Sequence, residues 1–385
     1  MNKKLFPILS AFLLLFSLIE KGQATETYRP ETSVAGFIQL PGSGRQVYNF
    51  NPGWRFFKGD IHGAESVDFD DRSWTIVSTS HTVELMPAEA SGCRNYQGPA
   101  WYRKHFVLPA ETKGKRVLIH FEAAMGKQVL YLNGKRIQEH VGGYLPFTLD
   151  LTTNGIQAGD SCLLAIFVDN SNDKSFPPGK PQYTLDFAYH GGIYRDVSLL
   201  VVHKDHIALG HYGDTGVKVT PTLCKDHAAD IRVETRLEGE GNVRVALNDA
   251  EGNTVAAAEG KDVTMTLAHP HLWDGVKDPY LYTCVVELEQ GGKVVDTVST
   301  RVGVRSFRVD PKKGFFLNGR SYPLHGVSRH QDRKGLGNAI SREMHDEDMT
   351  LIRELGANTI RLAHYQHDQY FYDLCDEYGM VVWAE

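Results

Sequence analysis

Residues 341–385 read SREMHDEDMTLIRELGANTIRLAHYQHDQYFYDLCDEYGMVVWAE, and their periodicity decides the fold. Ser341 can cap a helix, and Met344, Leu351, Ile352 and Leu355 then fall on one face at helical spacing. Gly356 stops that helix, and Thr359 to Ala363 is a short strand. Phe371, Leu374, Cys375 and Tyr378 repeat the helical face until Gly379 ends it, and Val381 to Trp383 is a further strand. With Leu324 to Val327 as a short strand ahead of them, the order is strand, helix, strand, helix, strand. That order opens a parallel α/β fold. A complete (β/α)8 barrel takes roughly 250 residues, so residues 309–385 hold about three of its eight strands.

Upstream the pattern is different. From Tyr28 to His203 short strands alternate with turns. Val117, Ile119 and Phe121 alternate as a half-buried strand does, and Cys162 to Val168 is a nearly continuous apolar run suited to a strand covered on both faces. Asn133-Gly134 between Val129–Leu132 and Lys135–Gln138 predicts a hairpin, because this pair takes the positive φ angles of a type I′ turn. Residues 25–203 are therefore expected to form a jelly-roll β-sandwich. Residues 204–308 continue with strands at Gly216–Thr220, Ile231–Leu237, Val243–Leu247, Tyr282–Leu288 and Val294–Val302, the size of an immunoglobulin-like β-sandwich. The expected fold is multidomain: jelly roll, immunoglobulin-like sandwich, then the start of a (β/α)8 TIM barrel.

The extreme N-terminus stands apart. Lys3 and Lys4 precede an apolar run from Leu5 to Ile19, and Gly22 and Ala24 give a small-x-small site before Thr25. Residues 1–24 read as a signal peptide, which predicts a secreted or periplasmic protein with no membrane span after cleavage. The run is shorter than the roughly 20 apolar residues a spanning helix needs. A net charge of −6 with no long basic run argues against nucleic acid as a partner. The five cysteines are scattered, with no Cys-x-x-Cys pair, and read mostly as small buried apolar residues.

In such a barrel the active site lies at the C-terminal ends of the strands. Arg329 and His330 follow the first strand, Arg361 lies in the second with His364 and Tyr365 after it, and Glu385 closes the third. A lone histidine is usually structural, and Arg361 could form an ion pair. Ionisable residues at three successive strand ends point instead to a functional rim. Histidines, an arginine and a carboxylate suit a polyhydroxylated ligand, or the positioning of other carboxylates. Zinc fits poorly. His364 and His367 are three apart, but no His-Glu-x-x-His occurs, and His269-Pro270-His271 lies far along the chain from the rim. Gly335-Leu336-Gly337 lacks the third glycine of a phosphate loop, and no convincing Gly-x-Ser-x-Gly elbow is found.

His325-Gly326-Val327-Ser328-Arg329-His330, Asn358-Thr359-Ile360-Arg361-Leu362-Ala363-His364-Tyr365 and Tyr378-Gly379-Met380-Val381-Val382 resemble the first three barrel strands of glycoside hydrolase family 2. This is the family of β-galactosidases, β-glucuronidases and β-mannosidases. Asn51-Pro52-Gly53-Trp54-Arg55-Phe56, Phe69-Asp70-Asp71-Arg72-Ser73-Trp74, Trp101-Tyr102-Arg103-Lys104 and Gly191-Gly192-Ile193-Tyr194-Arg195-Asp196-Val197 resemble landmarks of its first domain. Pro270-His271-Leu272-Trp273 and Pro279-Tyr280-Leu281-Tyr282 resemble a pair in its second, which favours a structural His271. The sequence departs from the pattern at Ala363, where a serine is frequent, at Gln366, usually a proline, at Ala384, where an aspartate often precedes the glutamate, and in the loose match at His81-Thr82-Val83.

The resemblance implies a carbohydrate substrate, most of all a terminal β-galactoside, hydrolysed with retention. His330 and His364 would contact the sugar or stabilise the transition state, and Arg361 would orient the nucleophilic carboxylate. Asp186, six residues before Gly192, would hold a sugar hydroxyl from the jelly roll. Glu385 matches a glutamate that binds metal in some members, so the resemblance allows magnesium or sodium without establishing any cofactor. The reaction needs two carboxyl groups about 5 Å apart. The family carries them after strands four and seven. None of the residues through Glu385 is therefore assigned as acid/base or nucleophile, and the 385-residue chain by itself is expected to be inactive. A three-strand barrel segment is also expected to be poorly stable alone, with an open parallel edge. The alternatives are a β-glucuronidase or β-mannosidase of the same family, and a non-catalytic secreted carbohydrate-binding protein.

Overall fold

A computed structural model describes residues 44–85, 95–209, 214–224 and 227–385. The segment read as a signal peptide and Cys93 lie outside the described residues. The first domain packs two antiparallel sheets face to face. One runs Thr75–Val77, Trp54–Lys58, Pro99–Val107, Ser161–Asp169, Gly126–Leu132, Lys135–Gly142; the other runs Gln46–Asn49, Val197–Val202, Arg116–Phe121, Phe147–Asp150. Phe50, Trp54, Tyr102, Ile119, Phe121, Leu130, Leu164 and Leu199 fill the space between them. The apolar run around Cys162 is the central strand Ser161–Asp169, buried on both faces from Cys162 to Ile166. At the hairpin, Leu132 pairs with Lys135, while Asn133 and Gly134 adopt φ of 49° and 81°. Both values suit the type I′ turn. The charged landmarks are internal struts: Arg103 donates from Nε to Asp71 at 2.8 Å, and Lys104 donates to the Phe50 carbonyl at 2.7 Å.

The second domain sets Val217–Leu223, Ala228–Thr235 and Asp262–Ala268 against Thr254–Glu259, Asn242–Asn248, Tyr282–Gln290 and Lys293–Val302. Two of these strands were not anticipated. Thr254–Glu259 is alanine-rich and has little β-branched signal, whereas Asp262–Ala268 does alternate, burying Met265 and Leu267. His271 is structural: its ring stacks on Tyr280 at 3.9 Å and its Nε2 meets Asp278 at 2.7 Å. The two sandwiches are joined by a buried ion pair, Arg45 to Asp296 at 2.7 Å, and the Ile207 backbone bonds to both members, its carbonyl accepting from Arg45 and its N–H donating to Asp296.

A small antiparallel sheet, Phe307–Asp310, Gly314–Leu317 and Arg320–Ser321, precedes the barrel segment. The parallel part is β1 (Gly326–Arg329), α1 (Arg342–Glu354), β2 (Thr359–Leu362), α2 (Gln369–Tyr378) and β3 (Val381–Ala384), with β2 between β1 and β3. The first strand thus begins at Gly326, not at Leu324. Asn358 accounts for the shift, because its side chain accepts from the His325 N–H at 2.8 Å and donates to the Pro323 carbonyl at 2.8 Å. In α1 the buried face is His345, Met349 and Ile352, whereas Leu351 and Leu355 are exposed. In α2, Phe371, Leu374 and Cys375 are buried as expected. Gly379 caps α2 with φ 74°, and a Cβ there would lie 2.2 Å from the Gly275 carbonyl oxygen. No helix among the described residues is long and apolar enough to cross a membrane, which says nothing of β-barrels.

Candidate functional site

Arg361 and Glu385 come from neighbouring strands. Arg361 lies in β2 opposite Trp383 of β3, so its side chain reaches along the sheet to the carboxylate that follows β3. Its Nε and Nη2 donate to the two Glu385 oxygens at 2.8 and 3.0 Å, a bidentate pair. Those hydrogen bonds, with a contribution from His364, hold the Glu385 carboxyl below the usual carboxylate range. His364 Nδ1 lies 2.8 Å from both Glu385 Oε2 and Arg361 Nη2. A single ring nitrogen cannot donate to the first and accept from the second. The ionised carboxylate already satisfies Arg361, so the network assigns the proton to Nδ1, donated to Glu385. The Nε2 of His364 is then left for a ligand.

His330 sits beside this group, its ring centroid 5.3 Å from that of His364. Its Nδ1 faces the Tyr365 hydroxyl at 3.4 Å, and that hydroxyl accepts from the Gln331 N–H at 3.1 Å. Burial lowers the His330 pKa, so the ring is neutral near pH 7. A neutral imidazole can donate to one sugar hydroxyl or accept from another. Burial also raises the Tyr365 phenol, which therefore stays protonated.

The jelly roll closes one side. Phe187 lies 5.7 Å from the His330 ring, 5.5 Å from His364 and 5.8 Å from Tyr365, centroid to centroid. Asp186, the residue before it, is exposed, and its charge raises the His330 pKa against the larger effect of burial. The structure thus brings His330, Arg361, His364 and Glu385 together at one rim, with Asp186 beside them on a loop from the first domain.

Arg329 belongs elsewhere. It closes β1 rather than following it, and its side chain points behind the sheet to Asp348 at 2.7 Å and over the Phe371 ring at 3.8 Å. His367 is buried with it, its Nδ1 3.1 Å from Arg329 Nη1, so His364 and His367 do not converge as metal ligands. Among the described residues no group of three or more His, Cys, Asp or Glu side chains could hold a metal ion. Glu385 is paired with Arg361 and His364.

Sequence reasoning missed Phe187, although it adjoins Asp186, and it saw in Gln366 only a departure. The Gln366 amide bridges the rim, donating to the Glu385 carbonyl at 3.3 Å and accepting from the Tyr372 hydroxyl at 2.8 Å.

Three family models match in chain order: residues 67–203 match the sugar binding domain of glycosyl hydrolases family 2, residues 214–305 match glycosyl hydrolases family 2, and residues 308–385 match the family's TIM barrel domain. A β-glucuronidase of Bacteroides fragilis is 34% identical over 95% of this chain and 52% of its own length. A β-galactosidase of Thermoanaerobacter pseudethanolicus is 31% identical over 89% of this chain and 46% of its own. Among solved structures, Bacteroides uniformis β-glucuronidase 2, covalently bound to cyclophellitol-6-carboxylate aziridine, superimposes with a TM-score of 0.79 at 30% identity, covering 88% of this chain and 42% of that one. The chain spans about half the length of the relatives it matches.

Proposed function

The chain belongs to glycoside hydrolase family 2, and on that premise we propose that it is part of an enzyme hydrolysing β-glycosides with retention at the rim of its barrel. The observation that carries this is the joined Arg361–His364–Glu385 group with a neutral His330 beside it, at the ends of three successive parallel strands. In this reading His330 and His364 Nε2 contact the sugar hydroxyls. Asp186 accepts from a further hydroxyl, and Phe187 offers an apolar wall to the sugar ring. Arg361 and Glu385 fix the orientation of His364 and the charge of the rim before substrate arrives, so little reorganisation remains for the reaction. Retention needs two carboxyl groups about 5 Å apart, one to protonate the leaving oxygen and one to attack the anomeric carbon. Glu385 is not the proton donor in this reading, because its ion pair with Arg361 keeps it deprotonated, and the nucleophile is taken to be another carboxylate, as the family resemblance implies.

A terminal β-galactoside is the first candidate substrate. A β-glucuronide is the second, favoured by the relative of that name at 34% identity. Initial rates with 4-nitrophenyl β-galactoside and β-glucuronide, using the protein expressed from its gene, separate the two. Proton NMR of the first-formed sugar should show the β-anomer. Turnover of neither substrate, or the α-anomer as first product, would contradict the proposal.

We also propose export to the periplasm or the medium, on the basis of the charged and apolar segment from Lys3 to Ile19. N-terminal sequencing of the mature protein should begin near Thr25; a start at Met1 would refute it.

A further inference from the structure

Arg195 is the charged residue of the Gly191–Val197 landmark, and its side chain is only 4% exposed. It leaves the jelly roll and enters the barrel segment. Nη2 donates to the Gln366 carbonyl at 2.7 Å and lies 3.4 Å from Gln331 Oε1. Nη1 donates to the Tyr144 carbonyl at 3.0 Å. Gln331 Oε1 also accepts from the Asp368 N–H at 2.6 Å, and the Asp368 side chain caps α2 by accepting from the Tyr370 N–H at 2.9 Å. The Asp368 carboxylate lies 3.9 Å from Arg195 Nε, which has no hydrogen-bond partner among the described residues.

One guanidinium therefore ties down both ends of the rim. Gln331 follows His330 directly, and Gln366 comes two residues after His364. Tyr144, whose carbonyl Arg195 holds, stacks its ring on Tyr365 at 4.6 Å with an 8° interplanar angle. The landmark's backbone is fixed on the other side: Gly192 has φ 122°, and a Cβ there would lie 2.4 Å from the His81 carbonyl oxygen.

We propose that Arg195 is a positioning residue: through the Gln366 carbonyl and Gln331 it makes the jelly roll set the placement of His364 and His330 for the reaction. The proposal rests on the glycosidase reading for its kinetic readout but not for its structural one. Arg195→Lys keeps the charge, but a single ammonium lacks the fork that reaches Gln366 and Tyr144 together. A displacement of about 1 Å at the rim is enough to cost about 100-fold in rate.

The test compares Arg195→Lys, Arg195→Ala and the native sequence, each in the protein expressed from its gene, by kcat and KM, thermal unfolding and crystal structure. The expected result for Arg195→Lys is a kcat lowered about 100-fold with a smaller change in KM, an unchanged unfolding midpoint, and a visible shift of residues 364–368. For Arg195→Ala, added guanidinium ion at non-denaturing concentration should restore part of the lost kcat, which a merely structural role would not allow. If Arg195→Ala does not fold, Gln331→Leu replaces it: it removes the acceptor shared by Arg195 and Asp368 and should lower kcat about 10-fold. An Arg195→Lys crystal structure with residues 364–368 in their native place overturns the proposal, whether or not activity has fallen. If the native protein turns over neither glycoside, the glycosidase reading falls and the displacement alone decides the positioning role.

Discussion

Arg361, His364 and Glu385 at the rim, and Arg329, His345, His367 and Asp348 behind it, draw on the same kinds of side chain. Their surroundings make them opposites. At the rim the arginine and carboxylate are 39% and 29% exposed, and one ring nitrogen of His364 has no hydrogen bond among the described residues. Behind the sheet Arg329 is 6% exposed and uses its guanidinium on Asp348 and on the Nδ1 atoms of both histidines, each at 3.1 Å. Burial lowers His345 to about 4 and, with Arg329 nearby, His367 to about 2. These two rings are locked neutral, as acceptors for one buried cation. Residue type alone does not separate a proposed binding group from a strut; burial does, since His345 Nε2 also lacks a hydrogen-bond partner among the described residues but is buried.

The sharpest break of this contrast is in stability. Arg329→Met strands both Nδ1 atoms and Asp348, and should cost about 3 kcal/mol in urea unfolding, the low end for a broken buried pair because Asp348 keeps some solvent. The rim counterpart Arg361→Met should barely move the unfolding midpoint, since exposed pairs contribute little. Activity should reverse that order. His364→Ala should lower kcat about 100-fold, or about 2.7 kcal/mol in the barrier, with the fold intact.

Next comes pH. Unfolded, His345 binds a proton near pH 6.5; folded, it does so only near 4. Between these values the unfolded chain holds more protons, so the His345 contribution is complete above about pH 6.5 and is lost as pH falls toward 4. Other groups titrate in the same window, including Asp373, which burial raises to about 7 with the opposite sign. The informative quantity is therefore a difference: His345→Gln should flatten stability against pH by about 1.4 kcal/mol per unit relative to the native chain. An unchanged slope would mean that His345 is not locked neutral. The smallest effect expected is for Tyr144→Leu, which removes the Tyr365 stack and should cost about 1 kcal/mol.

Much of this was legible because it is local. The helix of Phe371, Leu374 and Cys375, its stop at Gly379, and the Asn133-Gly134 turn depend on periodicity and on backbone angles that few residues adopt. Strand ends also told which residues share a rim, since parallel strands in register deliver them to one edge. The errors arose where a distant contact decides. Leu351 and Leu355 match the helical period, yet the packed side of α1 is set by His345 meeting Arg329 and Phe371. Arg329 read as a rim residue because a two-residue shift of β1 could not be seen without Asn358, thirty-three positions from His325. Phe187 and Arg195 act across the join between domains, and no spacing within one element announces that.

The most direct test of the central claim is a crystal structure of the protein with a β-galactoside or β-glucuronide bound. The account predicts sugar hydroxyls at hydrogen-bond distance, about 3 Å, from His330 and His364 Nε2, Phe187 against the ring, and Glu385 still paired with Arg361. A sugar bound away from this rim, or one that displaces Arg361 from Glu385, would contradict it.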